Sequence, residues 1–145
     1  MGHRIVHGGS ELHSHTLLDD NVRARLDRVA GLAPLHVPQA LTLLDAVRDL
    51  LPGVPHVACF DTVFHAGSPV AAREYAVPAS RRDAYGLRRH GFHGLSYAWA
   101  PAHTAELLGR RPEQLHVVVQ RALPGERSAA EAVAVRGGEV SACGA

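Results

Sequence analysis

Apolar residues punctuate this chain in short runs whose spacing changes from segment to segment. Gly2 to His7 carries Ile5 and Val6 at its centre and reads as a strand, broken by Gly8-Gly9. Val22, Leu26 and Val29 then recur at helical spacing, with Asp19 and Asp20 as caps and Gly31 as a stop. After a proline-bounded loop at Ala33 to Pro38, the residues Leu41, Leu44, Val47 and Leu51 mark a second amphipathic helix. Pro38 suits its first position, and Pro52-Gly53 ends it. His56 to Phe60 reads as a buried strand with Asp61-Thr62 at its C-terminal end. Ser68-Pro69 opens a short helix as cap and first residue. Tyr85 to Gly94 is loop-like, and Leu95 to Leu108 is helical, with Pro101 as a kink and Gly109 as a C-terminal cap. Val117 to Val119 reads as a strand, and Ala132 to Val135 as another that turns through Arg136-Gly137-Gly138-Glu139 towards Val140. Strands that alternate with helices predict an α/β domain. Ligands gather at the carboxyl ends of strands in such sheets, which places Asp61, His7 and Gly8-Gly9 on the binding side.

Composition narrows the picture. A chain of 145 residues fits one domain and buries enough surface for a real core. Its 46% apolar content argues against wholesale disorder. No apolar run approaches the roughly 20 residues of a membrane span, and the N-terminus lacks a secretory apolar stretch. The expectation is a cytoplasmic protein with no membrane partner. A net charge of +1 gives no basic excess for nucleic acid. All 15 basic residues are arginine, which excludes a phosphate-loop lysine or a Schiff-base lysine on this chain. Cys59 and Cys143 form no CxxC pair. Eleven histidines raise the question of metal. His13 and His15 would share one face of a strand, but no third ligand has a recognisable spacing and there is no HExxH, so no metal site is expected.

Four polar segments set ionisable side chains beside glycine, proline or aromatic residues, as loops that bring backbone close to a ligand do. They read HRIVHGG from His3, APLHVP from Ala33, FDTVFH from Phe60 and RRHGFHGLSY from Arg88. In this order and at similar spacing they resemble the acetate kinase family and its propionate and butyrate relatives, whose pattern runs HRVVHGG, APLHNP, FDTAFH and RRYGFHGTSH. The resemblance is clear over 2–108 and degenerate over 116–145. It implies that residues 1–145 form a single partial domain of the actin-like, sugar-kinase (ribonuclease H-like) ATPase fold, matching the central part of an acetate kinase.

The resemblance also implies roles. Arg4 falls on the arginine that binds the carboxylate or the phosphoryl group in flight. His36 is the histidine of the second segment, and Asp61 orients the carboxylate and metal. His93 stabilises charge on the transferring phosphoryl, while Val6, Leu35 and Phe92 flank the acid's methyl group. Such assignments suit phosphoryl transfer, which needs positioning and charge stabilisation more than covalent chemistry. Arginine offers a planar fork for carboxylate or phosphate. Each residue also has a plain reading: Arg4 as a solvated arginine, Asp61 as a turn residue, His93 and His36 as braces of their loops, and Val6, Leu35 and Phe92 as core.

The pattern breaks at four places. The family's first strand and its asparagine-glycine-serine segment have no counterpart here. Tyr97 replaces a histidine and Val37 an asparagine. The phosphate-cradling HLGxGxS loop is reduced to Gly125 and Ser128. The resulting expectation is an acetate-kinase-like phosphotransferase, converting ATP and acetate to acetyl phosphate and ADP, with little or no activity in this fragment alone. A short carboxylic acid, ATP and Mg2+ are the ligands that the family implies; activity would need a complementing chain to supply the missing parts, and the sequence gives no oligomeric state. The alternatives are a non-catalytic truncated remnant and, more weakly, a histidine-rich metal-binding module.

Overall fold

The structure, a computed structural model, describes residues 1–122, 130–136 and 139–143, with side chains through residue 119. The chain divides into two compact units, Met1–Gly67 with His90–Leu95, and Ser68–Arg89 with Ser96–Ala145.

The first unit is built on three strands, β1 (Gly2–Ile5), β2 (Thr16–Leu17) and β3 (Val57–Phe60), in the order β1-β3-β2. β1 runs parallel to β3 with Arg4 opposite Cys59 and Ile5 opposite Phe60. β2 pairs antiparallel to β3. A parallel pair needs a long crossover, and here it contains two helices, α1 (Asp20–Val29) and α2 (Val37–Leu50). The Asp19 carboxylate accepts from the Val22 N–H at 2.7 Å and so caps α1. α1 turns Val22 and Leu26 inward, and α2 turns Val37, Leu41 and Leu44 inward. They meet Ile5, Ala58 and Phe60 from the sheet in one apolar core. Each Val, Leu, Ile or Phe among them contributes about 1.5–3 kcal/mol by leaving water. Outside the core, Arg23 of α1 makes a bidentate bond to Asp45 of α2, both distances 2.7 Å.

Local geometry departs from the periodicity in four ways. β1 ends at Ile5 rather than His7, because the chain leaves the sheet early and the Gly8 N–H donates to Thr62 Oγ1 at 3.1 Å. β2 is only two residues long, too short for alternation to reveal. His13 and His15 precede it and share no strand face; His15 Nδ1 instead accepts from the Phe60 N–H at 3.2 Å. α2 begins at Val37, so His36 is its N-cap and Pro38 the second helical residue.

The second unit holds α3 (Val70–Arg73), α4 (Ala79–Tyr85), most of α5 (Gly94–Leu108) and an antiparallel sheet. That sheet is β4 (His116–Ala122), β5 (Ala130–Arg136) and β6 (Glu139–Cys143) in the order β4-β5-β6. Pro69, with ψ at 149°, is extended, so it caps α3 where Ser68 was expected to. Pro101 lies inside α5, which is assigned as one helix across it. Gly109 ends α5 at φ +58°, with the Gly109 N–H on the Glu106 carbonyl and the Arg110 N–H on the Ala105 carbonyl. Gly125 and Ser128 lie outside the described residues, as do Gly137 and Gly138 of the expected hairpin turn.

Candidate functional site

Parallel pairing of β1 and β3 brings two chemically distinct side chains to one end of the sheet. Arg4 stands one residue from the end of β1, and Asp61 directly follows β3. Arg4 Nε and Nη2 donate to Asp61 Oδ2 at 3.1 and 2.7 Å. The Asp61 side chain is 1% exposed, whereas that of Arg4 is 56% exposed. A buried anion therefore anchors a cation that reaches solvent. Asp61 takes only part of the guanidinium's five-donor fork, so the rest faces outward. The other carboxylate oxygen, Oδ1, lies 3.4 Å from the Leu95 N–H in the first turn of α5, where the helix end favours negative charge. Gly94 makes this approach feasible, because a Cβ there would collide with the Asp61 carbonyl.

The loop before α5 closes over the same strand ends. Gly91 sits at φ +68° and His93 at φ +56°. A non-glycine residue in that region is uncommon, and such backbone is concentrated at binding sites. His65 Nε2 donates to the Phe92 carbonyl at 2.9 Å. His7 Nδ1 accepts from the Gly9 N–H at 2.8 Å. The His7 ring tilts against His90 at 4.5 Å between centroids and meets Phe92 edge-on at 6.2 Å. Together these put a guanidinium, a buried carboxylate, imidazoles and one half-exposed phenyl ring in the first unit, suited to a small anion with an apolar tail.

The expected site residues separate into two sets. Arg4 and Asp61 are joined directly, and Phe92 and His93 belong to the loop that reaches Asp61 through Gly94 and Leu95. Val6 packs half-buried against the core. Leu35 is 76% exposed on the turn before α2, and His36 caps that helix without a side-chain bond. Among the described residues no hydrogen bond or ring contact ties His36 or Leu35 to Arg4 or Asp61. Val37, where the family pattern has asparagine, is fully buried in the core. Two residues that received no role take part: Thr62 accepts from the Gly8 N–H, and His65 bonds the Phe92 carbonyl with its ring against Gly91. The signal for both was their place inside the FDTVFH segment.

Metal fits the described residues poorly. No group of three His, Cys, Asp or Glu side chains comes together among the described residues. Mg2+ is ordinarily held by one or two carboxylates plus phosphate oxygens, and Asp61 Oδ2 is engaged by Arg4. No step is therefore routed through a metal on these residues. An open cavity of about 680 Å³, lined by Leu17, Asp49, Val54 and His56 among others, lies at the opposite, amino end of β3 and contains none of the site residues. Among the described residues, no helix is long and apolar enough to cross a membrane.

Comparison with known proteins gives a consistent result. The model of the Acetokinase family matches residues 1–141. The acetate kinase of Streptomyces griseus is 44% identical over 134 residues, which is 92% of this chain and 32% of the relative. That of Thermotoga maritima is 43% identical over 118 residues, 81% of this chain and 29% of the relative. Among solved structures, Porphyromonas gingivalis acetate kinase superimposes with a TM-score of 0.81 at 33% identity, covering 96% of this chain and 34% of its own. A propionate kinase from Francisella tularensis gives 0.80 at 29% identity, over 96% of this chain and 35% of its own. The chain thus spans about a third of the length of the relatives it matches.

Proposed function

This chain belongs to the acetokinase family, with a partial actin-like ATPase fold, and from that premise we propose that it forms the acid-side half of a phosphotransferase. The whole enzyme would move a phosphoryl group from ATP to the carboxylate of a short acid such as acetate, in the cytoplasm. The observation that carries this reading is the solvent-reaching Arg4 guanidinium, clamped by buried Asp61 at the carboxyl ends of two parallel strands.

In this reading Arg4 receives the acid's carboxylate, or the phosphoryl oxygens as they pass, on the donors Asp61 leaves open. Asp61 keeps the fork from rotating, so that less orientation has to be found on binding. His93 donates to an oxygen that gains charge during transfer. Phe92 and Val6 flank the acid's alkyl end, with Leu35 as a third wall contributed by the α2 turn. Apolar walls discriminate weakly, at about 1–3 kcal/mol per methylene, so acetate and propionate both remain in range. ATP would supply the phosphoryl group and Mg2+ would neutralise its charge, and neither is assigned a residue on this chain.

Turnover then needs ATP-side polypeptide, from a complementing chain or from sequence flanking this one. Incubating the chain with ATP, Mg2+ and acetate and trapping acyl phosphate with hydroxylamine tests this. Little or no product is expected from the 145 residues alone, and turnover near that of a full-length relative would sink the proposal. The departures at Tyr97 and Val37 favour a second reading, a non-catalytic remnant. Flanking DNA without frames for the ATP side would support that reading, and frames encoding it would support a split enzyme.

A further inference from the structure

Two residues of the loop before α5 occupy left-handed backbone, and something must hold them there. His65 lies on the short turn after β3 and is 7% exposed. Its Nε2 meets the Phe92 carbonyl at 2.9 Å. A carbonyl only accepts, so Nε2 carries the proton. The same ring fills the space beside Gly91 that a Cβ would take, and Gly91 is at φ +68°. The Phe64 and His65 rings pack at right angles, 5.1 Å between centroids. One imidazole thus fixes the corner on one side of Phe92 and the carbonyl of Phe92 itself, immediately before His93 turns at φ +56°.

We infer that His65 is a positioning residue, which orients Phe92 and His93 by donating from Nε2 to the Phe92 carbonyl while its ring supports Gly91. Its relevance to catalysis rests on the acid-side reading given above, but its test does not need turnover. The tie is directional: an aromatic ring without the donor would support Gly91 and still release the carbonyl. Loss of one buried hydrogen bond of ordinary strength corresponds to roughly a fivefold shift in the local opening equilibrium.

The experiment is NMR on the full chain. Long-range 1H–15N spectra of the unaltered protein should show a proton on His65 Nε2; an Nε2 without a proton would overturn the inference. His65→Phe should speed amide exchange of residues 91–95 by roughly fivefold, and His65→Gln, whose amide can reach the same carbonyl, should restore most of the protection. Exchange unchanged in His65→Phe would reduce His65 to a space-filler and refute the proposal. If His65→Phe does not fold, the tautomer measurement decides alone. A chain that passes these tests yet shows no response to acetate would count against the proposed function and leave the role of His65 standing.

Discussion

Arg4→Met and Asp61→Asn both abolish the Arg4–Asp61 ion pair, yet the two losses should differ in cost. Arg4→Met leaves Asp61, 1% exposed, with its charge buried and its main partner gone. Stranding a buried charge in this way costs about 3–5 kcal/mol. The Leu95 N–H, at 3.4 Å from Oδ1, is too distant to offset much of that. Asp61→Asn instead strands Arg4, whose side chain is 56% exposed and is re-solvated by water. The amide keeps the shape and one acceptor, so the expected cost is about 1–2 kcal/mol. Urea unfolding followed by far-ultraviolet circular dichroism gives both values, and the double variant closes a thermodynamic cycle. The double variant should be more stable than Arg4→Met alone, since it removes the stranded charge. If Asp61→Asn is as damaging as Arg4→Met, or neither moves the midpoint, then the geometry of a buried anion steering an exposed cation is wrong.

Two further outcomes follow from the packing. Gly94→Ala sets a methyl against the Asp61 carbonyl and the Phe64 Cβ, so backbone must move; a loss of about 1–3 kcal/mol is expected in the same urea assay, and an unchanged midpoint would contradict the close approach. His3 is held below its ordinary pKa of 6.5, first by burial and then by the neighbouring His56. His56 Nε2 donates to the Leu51 carbonyl, so its Nδ1 is left to accept from His3 Nε2 at 2.8 Å. Unfolded His3 takes up a proton near 6.5 while folded His3 does not until lower pH, so stability should fall as pH drops below 6.5. Urea midpoints measured across that range should show the slope, and His3→Gln should flatten it.

What the sequence made legible was local and repetitive. The spacing of Val22 and Leu26, and of Leu41 and Leu44, located both helices of the first unit and their buried faces. Glycine marked the end of α5, because only a left-handed residue completes that cap. Four quoted segments identified the family and fold, and the pairing of Arg4 with Asp61 across 57 positions lies within two of them. Other features depended on the third dimension. β2 consists of two residues and exists because β3 offers an edge. His15 looked like half of a ligand pair but bonds to the Phe60 N–H across 45 positions, a partner that no spacing rule predicts. Thr62 and His65 act on backbone groups far along the chain, so their side-chain types alone signalled nothing. Exposure of Leu35 and His36 was equally unreadable, because a proline-bounded loop can face either way.

The central claim is that Arg4 presents its free donors to the carboxylate of a small acid. It is tested most directly by following the Arg4 Nε–H resonance of 15N-arginine-labelled chain during titration with acetate, against chloride at equal ionic strength. The account predicts a saturable shift of that resonance with acetate, lost when Asp61→Asn loosens the fork. No shift at the highest acetate concentration reached, or an equal response to chloride, would contradict it.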